Sequence, residues 1–535
     1  MRLLTSLLPL LTALTATVCA EPSSAVPPSQ HIFSHAQLPP SSWSPTHIST
    51  TLELGGSLTR SSSVYQLVRD PAQGEGGEVF VVGVKGAKGE GWVEASEGKG
   101  AQKKGLRLVA VGGDENTTYY SLPLSPSLTT TTLTLSSVLS HQSRPFPPSL
   151  PQNAETIYML WEGDLLSPLS GLSREQRSKV EEVKVKVKTP TPRVFNAQAD
   201  DGFVVSHSQG AALVTFTSKG TVADFEQQMA GVIYQQPSAV ASIRKLDRVV
   251  ELSHWGSKMA VQENIELVNS GPTLEGTFAR IDHQKATMHR RQNMLAISSL
   301  TVPLPPSAHN PYYYDLVGNV STSRFRPSPA AGSSAVLPSQ KKLRAALSGA
   351  PAILELQPRY PLMGGWNYSF TIGYDLPLEE YVRARNDGKE GAKGRYVAAV
   401  PFLTPIRDVA VEEARVEVRL PEGARNIHVH LPFPVSSLRL PSHTPAPFFG
   451  PDALPRGAQS NADGTLVRTF LDSTGRPTVV MEKAGVTDRH GGEVIIEYDL
   501  PPLVDLLQKP LACATALGSI FLLIIGAKRL RWSIA

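Results

Sequence analysis

The sequence predicts a mainly β protein, with two β-sandwich-like domains followed by a single C-terminal transmembrane helix. Short runs in which apolar and polar residues alternate recur along the chain, whereas helical periodicity is scarce. Turn residues separate these runs, and the chain contains 44 prolines and 42 glycines. Many short strands with turns between them are typical of β-sandwiches.

The N-terminus has the three-part pattern of a secretory signal peptide at residues 1–20. Arg2 precedes a leucine-rich run, and the small residues Val18, Cys19 and Ala20 provide a cleavage site. We therefore expect the rest of the chain to enter the secretory pathway.

Five later segments alternate as half-buried strands do. They are VKVKVK (183–188), SFTIGYDL (369–376), ARVEVRL (414–420), NIHVHL (426–431) and EVIIEYDL (493–500). A helix is expected over Ala223–Gln236, which has an acidic residue in its first turn. Three segments rich in Gly and Lys or in Pro, Ser and Ala predict exposed insertions, at 83–105, 326–342 and 441–464. The chain divides most naturally near residue 243, which predicts two lumenal β-rich domains at 21–243 and 244–508.

Near the C-terminus, residues 511–527 carry no charge and are followed by Lys528, Arg529 and Arg531. A helix of this length reaches about 26 Å, enough for a thin bilayer such as that of the endoplasmic reticulum. The cations predict a cytosolic tail at 528–535 and a type I, single-pass topology. A removable lipid-anchor signal is the alternative, but such a signal normally ends apolar.

Charge and cysteine content exclude several classes of function. Without the signal peptide and the tail, 47 basic residues balance 47 acidic ones, so no net field attracts nucleic acid. Cys19 lies in the signal peptide and Cys513 in the predicted span. The intervening region therefore has no thiol for catalysis, thiolate metal binding or disulfides.

Motifs for common catalytic sites are missing from the sequence. It contains no H-E-x-x-H, no G-x-S-x-G, no Walker phosphate loop and no D-x-D pair. His428 and His430 share one strand face, but no third ligand lies nearby in sequence. We therefore expect no catalytic residue, no metal site and no cofactor, and we interpret the two histidines as facing solvent or an interface.

The segment VVELSHWGSKMAVQENIEL (249–267) contains the residues most suggestive of acid–base chemistry, His254 and Glu263. A hairpin with strands at 249–254 and 259–267 pairs His254 with Met259, Leu252 with Val261 and Val250 with Glu263. His254 and Glu263 would then lie roughly 13 Å apart, too far for a base and its orienting acid. His254 is therefore expected to pack with its ring hydrogen-bonded.

The tryptophan beside this histidine, Trp255, is expected to anchor the bend. Three Asn-X-Ser/Thr sequons predict N-glycosylation at Asn319, Asn116 and Asn367. Asn319 lies between turn-rich segments and is the strongest candidate. Asn367 is the weakest, because aromatic residues around it indicate a partly buried strand.

Five blocks in the second half of the chain, followed by one span, closely resemble the ribophorin I family. The blocks are VVELSHWGSKMAVQENIEL, YYYDLVGNVSTS, PRYPLMGGWNYSFTIGYDLP, LPEGARNIHVHLPF and LDSTGRP. They cover most of residues 248–500. Before residue 243 only ISTTLELGGSLTR and SVLSHQSRPFPPSLPQNAETIYMLWEGD fit the family, and the glycine–lysine segment does not.

The resemblance implies a non-catalytic subunit of the oligosaccharyltransferase complex in the endoplasmic reticulum membrane. That complex transfers a preassembled glycan from dolichyl diphosphate to Asn-X-Ser/Thr, and in this family the chemistry belongs to a separate multispanning subunit. The implied partners are this catalytic subunit and the other subunits, with the nascent polypeptide acceptor as a further expected contact. Asn319 falls in the block that matches a family sequon. The short tail resembles members without a long cytosolic domain, which argues against ribosome docking.

Two other classes of function stay open at this point. One is an independent lumenal hydrolase with a site around His254 and Glu263, which would require the two side chains to meet in a cleft. The other is a type I membrane receptor, which the lack of disulfides and of a signalling tail disfavours.

Overall fold

We analysed a computed structural model of the chain. It describes residues 43–69, 79–85, 91–98, 103–106, 108–113, 117–125, 128–166, 180–208, 210–220, 228–288, 293–328, 350–385, 394–441, 465–469, 472 and 475–529. The predicted signal peptide, Asn116 and most of the predicted insertions at 326–342 and 441–464 lie outside these residues.

The described part of the chain up to residue 236 is built from short strands. They are β1 Trp43–Glu53, β2 Leu58–Arg69, β3 Val79–Lys85, β4 Trp92–Glu97, β5 Lys104–Leu106, β6 Val109–Gly113, β7 Thr117–Pro123, β8 Thr130–Ser140, β9 Ser143–Pro145, β10 Ser149–Leu150, β11 Ile157–Asp164, β12 Glu182–Lys188, β13 Val194–Ala199, β14 Phe203–His207, β15 Leu213–Ser218 and β16 Met229–Gln236.

These strands form an eight-stranded sheet covered by two smaller sheets. The large sheet has the order β14-β15-β12-β1-β2-β8-β4-β5, and the smaller ones have the orders β13-β16-β11-β9 and β3-β7-β6. The alternation of β12 explains how such layers form: Val183, Val185 and Val187 are fully buried, while the lysines between them face outward. One apolar core joins the three sheets, and Leu295, Ala296 and Met363 from later in the chain complete it.

The remaining strands begin at residue 241. They are β17 Ala241–Ser253, β18 Lys258–Asn269, β19 Thr273–Leu274, β20 Leu300–Leu304, β21 His309–Asp315, β22 Gly318–Asn319, β23 Ser323–Arg326, β24 Ala352–Leu356, β25 Asn367–Pro377, β26 Val382–Ala384, β27 Arg395–Pro401, β28 Ala410–Arg419, β29 Arg425–His430, β30 Ser437–Arg439, β31 Leu466–Val467, β32 Arg476–Val486 and β33 Glu493–Asp499.

A second layered arrangement surrounds the second core. Its nine-stranded sheet follows the path β22-β21-β25-β18-β17-β28-β32-β30, with β31 also paired to β32. Two smaller sheets, β20-β24-β23 and β26-β27-β33-β29, contribute to the same core of buried residues. β10 and β19 form a separate two-stranded pair that links the two halves of the chain.

Helices are few in the described part of the chain. They are α1 Arg280–Met288, α2 Leu378–Tyr381 and α3 Pro502–Arg529, with a 3-10 turn at Asp488–His490. Within the described ranges, the segment Pro510–Arg529 of α3 is long and apolar enough to cross a membrane, and none of it is buried. The predicted span at 511–527 lies inside this segment.

The mainly β prediction and the five alternating strands are confirmed, but two local predictions were wrong. The helix expected over Ala223–Gln236 is wrong because Met229–Gln236 is strand β16, whose neighbours β11 and β13 satisfy its backbone on both sides. The insertion expected at 83–105 contains β4, paired between β8 and β5. Its WVEASE sequence gives β4 a buried face that the surrounding glycines and lysines conceal. The division near residue 243, with domains 21–243 and 244–508, stays a prediction.

Candidate functional site

The central hairpin forms as predicted, but its register differs. β17 and β18 pair Leu252 with Met259, Val250 with Val261 and Arg248 with Glu263. The four-residue turn covers 254–257 rather than 255–258. Each residue therefore meets a partner two positions from the predicted one, and the pairing of His254 with Met259 was wrong.

Glu263 lies at the centre of a buried ionic cluster. It forms an ion pair with Arg248, and the two side chains are 0% and 1% exposed. Thr404 donates a hydrogen bond of 2.6 Å to the second carboxylate oxygen. A buried charge needs such compensation, because an unpaired one costs several kcal/mol. Both carboxylate oxygens are engaged, so the cluster holds the inner face of the nine-stranded sheet together.

His254 lies in the turn, beside the last residues before α3. Its Nε2 atom is 2.8 Å from the Tyr498 hydroxyl, and its ring meets the Tyr396 ring edge-on at 4.6 Å. The expectation of a packed, hydrogen-bonded histidine is confirmed. The structure does not bring His254 to Glu263, which lies opposite Arg248, six positions along the hairpin and roughly 20 Å away. Trp255 lies in the turn and is 56% exposed, and its role as an anchor of the bend stays a prediction.

Other candidate metal ligands do not converge in the described ranges. No group of three or more His, Cys, Asp or Glu residues there has a geometry that could hold a metal ion. His428 and His430 lie on β29 with exposed side chains, as expected, and His430 lies 3.7 Å from Glu497.

A contact between the two cores was not foreseen from the sequence. Arg60 on β2 donates hydrogen bonds of 2.8 Å to both Asp408 and Asp488. The Ser57 side chain accepts a 2.8 Å hydrogen bond from the backbone amide of Ala410. These pairs are about 350 to 430 residues apart in sequence, so no local pattern identifies them.

His490 lies in the same contact, although the sequence His490-Gly491-Gly492-Glu493 on its own is typical of a turn. The imidazole is 1% exposed and packs edge-on against Trp92 and Phe433, with ring centroids 5.2 and 4.9 Å away. Its Nδ1 atom accepts a 3.0 Å hydrogen bond from the Thr487 amide. Burial, together with the positive charge of Lys483, lowers the pKa of His490 to about 4. The ring is therefore neutral at physiological pH and acts as a packing residue.

The outer face of the nine-stranded sheet carries a continuous row of polar residues. Register places six of them side by side on neighbouring strands, and we call these the outer row: Asn319, Tyr314, Thr371, Asn264, Asp247 and Arg415. A groove of about 310 Å³ lies over the part of the row near Tyr314. A second depression of about 410 Å³ continues past Asp247 to Glu482.

Two of the three predicted glycosylation sites lie on this face. In the sequon at Asn319, both Asn319 and Ser321 are exposed. Asn367 and Ser369 are exposed at the start of β25, whereas Tyr368 and Phe370 between and after them face the core. The strand is therefore half-buried, but the sequon is on its open side. Glycosylation at Asn319, Asn116 and Asn367 stays a prediction.

Comparison with known proteins identifies the family. The family model described as Ribophorin I matches residues 43–528. The chain belongs to the ribophorin I family. The resemblance inferred from the sequence blocks is thereby confirmed, and it extends through both β regions and α3.

Individual relatives carry oligosaccharyltransferase names. The dolichyl-diphosphooligosaccharide–protein glycosyltransferase subunit 1A of Arabidopsis thaliana is 29% identical over 80% of this chain and 60% of its own length. Subunit 1 of Caenorhabditis elegans is 31% identical over 58% of this chain and 44% of its own length. Subunit 1B of Arabidopsis thaliana is 26% identical over 76% of this chain and 74% of its own length. The chain thus spans less than two thirds of the first two relatives.

Two solved structures share a distant likeness with this chain. Native yeast leukotriene A4 hydrolase matches 39% of this chain and 31% of its own, at 8% identity and a TM-score of 0.25. An M1 zinc metallopeptidase from Deinococcus radiodurans matches 40% of this chain and 49% of its own, at 14% identity and a TM-score of 0.21. Nothing about function follows from scores this low.

Proposed function

We propose that this ribophorin I family member is a non-catalytic subunit of the oligosaccharyltransferase complex. The complex would transfer a preassembled glycan from dolichyl diphosphate to Asn-X-Ser/Thr of nascent polypeptides, and a partner subunit would supply the chemistry. The family match over residues 43–528 is the observation that carries this proposal. The names of the relatives support the assignment to the complex.

The arrangement of ionisable residues supports an accessory role. The acid and the base that the sequence suggested, Glu263 and His254, each have a separate partner in the structure. Glu263 neutralises Arg248, and His254 packs on two tyrosines close to α3. These contacts stabilise the nine-stranded sheet and the segment that leads into α3. Both residues therefore have a structural role, as expected for an accessory subunit.

We further propose that the protein resides in the endoplasmic reticulum membrane, with its β regions in the lumen. The segment Pro510–Arg529 would span the bilayer, with Lys528 and Arg529 on the cytosolic side. The proposed partners are the catalytic subunit, other subunits of the complex and the acceptor polypeptide.

The decisive experiment is affinity purification of the tagged full chain from membranes in mild detergent. The eluate is assayed for glycan transfer from a dolichol-linked donor to an Asn-X-Thr peptide. We expect a multispanning partner to co-purify with transfer activity. The variant His254→Ala is expected to retain activity per assembled complex. An intact but solitary and inactive protein would refute membership of the complex. Loss of activity in a fully assembled His254→Ala complex would refute the non-catalytic role.

A further inference from the structure

Two tyrosines of strand β21, Tyr312 and Tyr314, lie on the outer face of the nine-stranded sheet. The Tyr312 ring rests against Gly373 of the neighbouring strand β25, where a Cβ atom would come within 2.1 Å of the ring. Its hydroxyl reaches across β25 to donate a 3.1 Å hydrogen bond to Gln262 on β18. The Tyr314 ring lies beside it, with centroids 6.1 Å apart and planes within 13°. The two rings are therefore stacked with nearly parallel planes, and we call this pair the tyrosine platform.

Polar groups border the tyrosine platform on the side of the groove. Asn264 is exposed and accepts a 2.9 Å hydrogen bond from the Thr371 hydroxyl. Asp247 on β17 lies directly opposite Asn264 in the sheet. The groove of about 310 Å³ beside Tyr314 is lined by these residues together with Lys245 and Glu266. Amides and carboxylates in such a row can accept hydrogen bonds from a ligand rich in hydroxyl groups, and the amides and the lysine can donate them.

Partly exposed aromatic rings edged by amides and carboxylates fit a carbohydrate. A pyranose ring has an apolar face of C–H groups, which packs against an aromatic ring, and hydroxyl groups around its rim, which need hydrogen-bond partners. An apolar partner would leave the polar row without hydrogen-bond partners. The chemistry of this face therefore favours a sugar chain.

The position of Asn319 identifies which sugar chain. Asn319 and Tyr314 are directly opposed across the β21–β22 hairpin, so their side chains leave the same face about 5 Å apart. The hairpin is held by Asp315, whose carboxylate accepts hydrogen bonds of 2.9 and 3.1 Å from the Val317 and Gly318 amides. Arg359 also binds the Gly318 and Asn319 carbonyls at 3.0 and 3.1 Å. The first sugar on Asn319 would thus begin beside the Tyr314 ring.

We propose that the N-linked oligosaccharide of Asn319 folds back onto the tyrosine platform and enters the groove beside it. The glycan is then an internal ligand of the nine-stranded sheet. It covers the end of the outer row near β22 and closes that part of the face to protein partners. This inference rests on the predicted modification of Asn319 and does not depend on the proposed role in glycan transfer.

The test is the rate at which peptide N-glycosidase releases the glycan from the native full chain. The protein is expressed in eukaryotic cells and purified in mild detergent, and release at Asn319 is followed by mass spectrometry of its glycopeptide. A docked glycan is released only from its undocked fraction. Losing an aromatic contact worth about 1 kcal/mol raises that fraction several-fold, and losing both raises it about tenfold or more.

We expect Tyr314→Ala and Tyr312→Ala each to accelerate release several-fold, and Tyr314→Phe to leave it near the wild-type rate because the ring is kept. The matched control is Phe195→Ala, an aromatic residue on β13 in a different sheet that is more exposed than either tyrosine. It should not change release. Unmodified Asn319 in the purified protein would overturn the proposal. Equal rates of glycan release in the wild type, Tyr314→Ala and Tyr312→Ala would also overturn it. An unchanged denaturation midpoint serves as the control that each variant is folded.

Discussion

Replacement of Glu263 by leucine should strongly destabilise the fold, because it leaves the positive charge of Arg248 buried without its ionic partner. Arg248 is 1% exposed and has Glu263 as its ionic partner. Removing one member of a buried pair costs about 3–5 kcal/mol. In guanidinium, with a slope of about 5 kcal/mol per M for a protein region of this size, the unfolding midpoint should fall by roughly 0.6–1 M.

The double variant Arg248→Met/Glu263→Leu separates the charge effect from packing. Replacing both charges with apolar side chains of similar volume is often close to neutral, so the double variant should be more stable than Glu263→Leu alone. The control is Arg244→Met. It breaks the 2.9 Å contact with Glu266 on the same two strands, where the arginine side chain is 54% exposed. That change should cost less than about 1 kcal/mol.

The assay is guanidinium denaturation of the full chain in detergent, followed by tryptophan fluorescence. A Glu263→Leu midpoint as high as that of Arg244→Met would refute the reasoning. So would a double variant whose destabilisation equals the sum of the losses measured for Glu263→Leu alone and Arg248→Met alone, because the charges would then not be compensating each other.

Three further predictions concern the core and the contact between the cores. His490 binds its proton with a pKa of about 4 in the fold and near 6.5 when unfolded, so its stabilising effect is complete above pH 6.5. This stabilisation should be lost progressively as pH falls towards 4, by up to roughly 3 kcal/mol. In the variant His490→Gln, the denaturation midpoint measured from pH 7 to 4.5 should therefore depend less on pH than in the wild type. Gly364→Ala places a Cβ 1.7 Å from the Pro272 carbonyl oxygen and should sharply lower the melting temperature, whereas Gly231→Ala, with 3.9 Å of room, should lower it by far less. Arg60→Ala breaks two partly exposed ion pairs and should cost about 1 kcal/mol, with the loss shrinking at high salt; a loss independent of salt would contradict that origin.

Much of the fold could be predicted from the sequence, because its strands are half-buried. In β12, β28 and β33 the alternation of apolar and polar residues corresponds directly to the buried and open faces. The error at β16 arose where a mixed pattern allowed helix or strand, and its two neighbouring strands decided the outcome. The platform tyrosines were part of a quoted block, but only the register shows that they share a face with Asn319.

Contacts between the two cores could not be predicted in the same way. His490 meets Trp92, and Arg60 meets Asp488, across nearly 400 residues or more of sequence. Periodicity reports which face of a strand is buried, but it carries no information about which distant segment covers that face. A histidine in a glycine-rich segment therefore looks like a turn residue until the tertiary structure buries it.

The central hairpin shows why the function of an ionisable residue depends on register more than on burial. A shift of two positions leaves every side chain on its predicted face, because the period of a strand is two. Glu263 was therefore correctly assigned to the side of Val250 and Leu252, and all three are fully buried. The same shift changes every partner: it replaces Val250 with Arg248 opposite Glu263. Opposite a valine, the carboxylate would be a buried acid with a raised pKa, the usual mark of a catalytic group. Opposite an arginine, the carboxylate forms a structural ion pair, and the β17–β18 hairpin therefore has a structural role in the sheet.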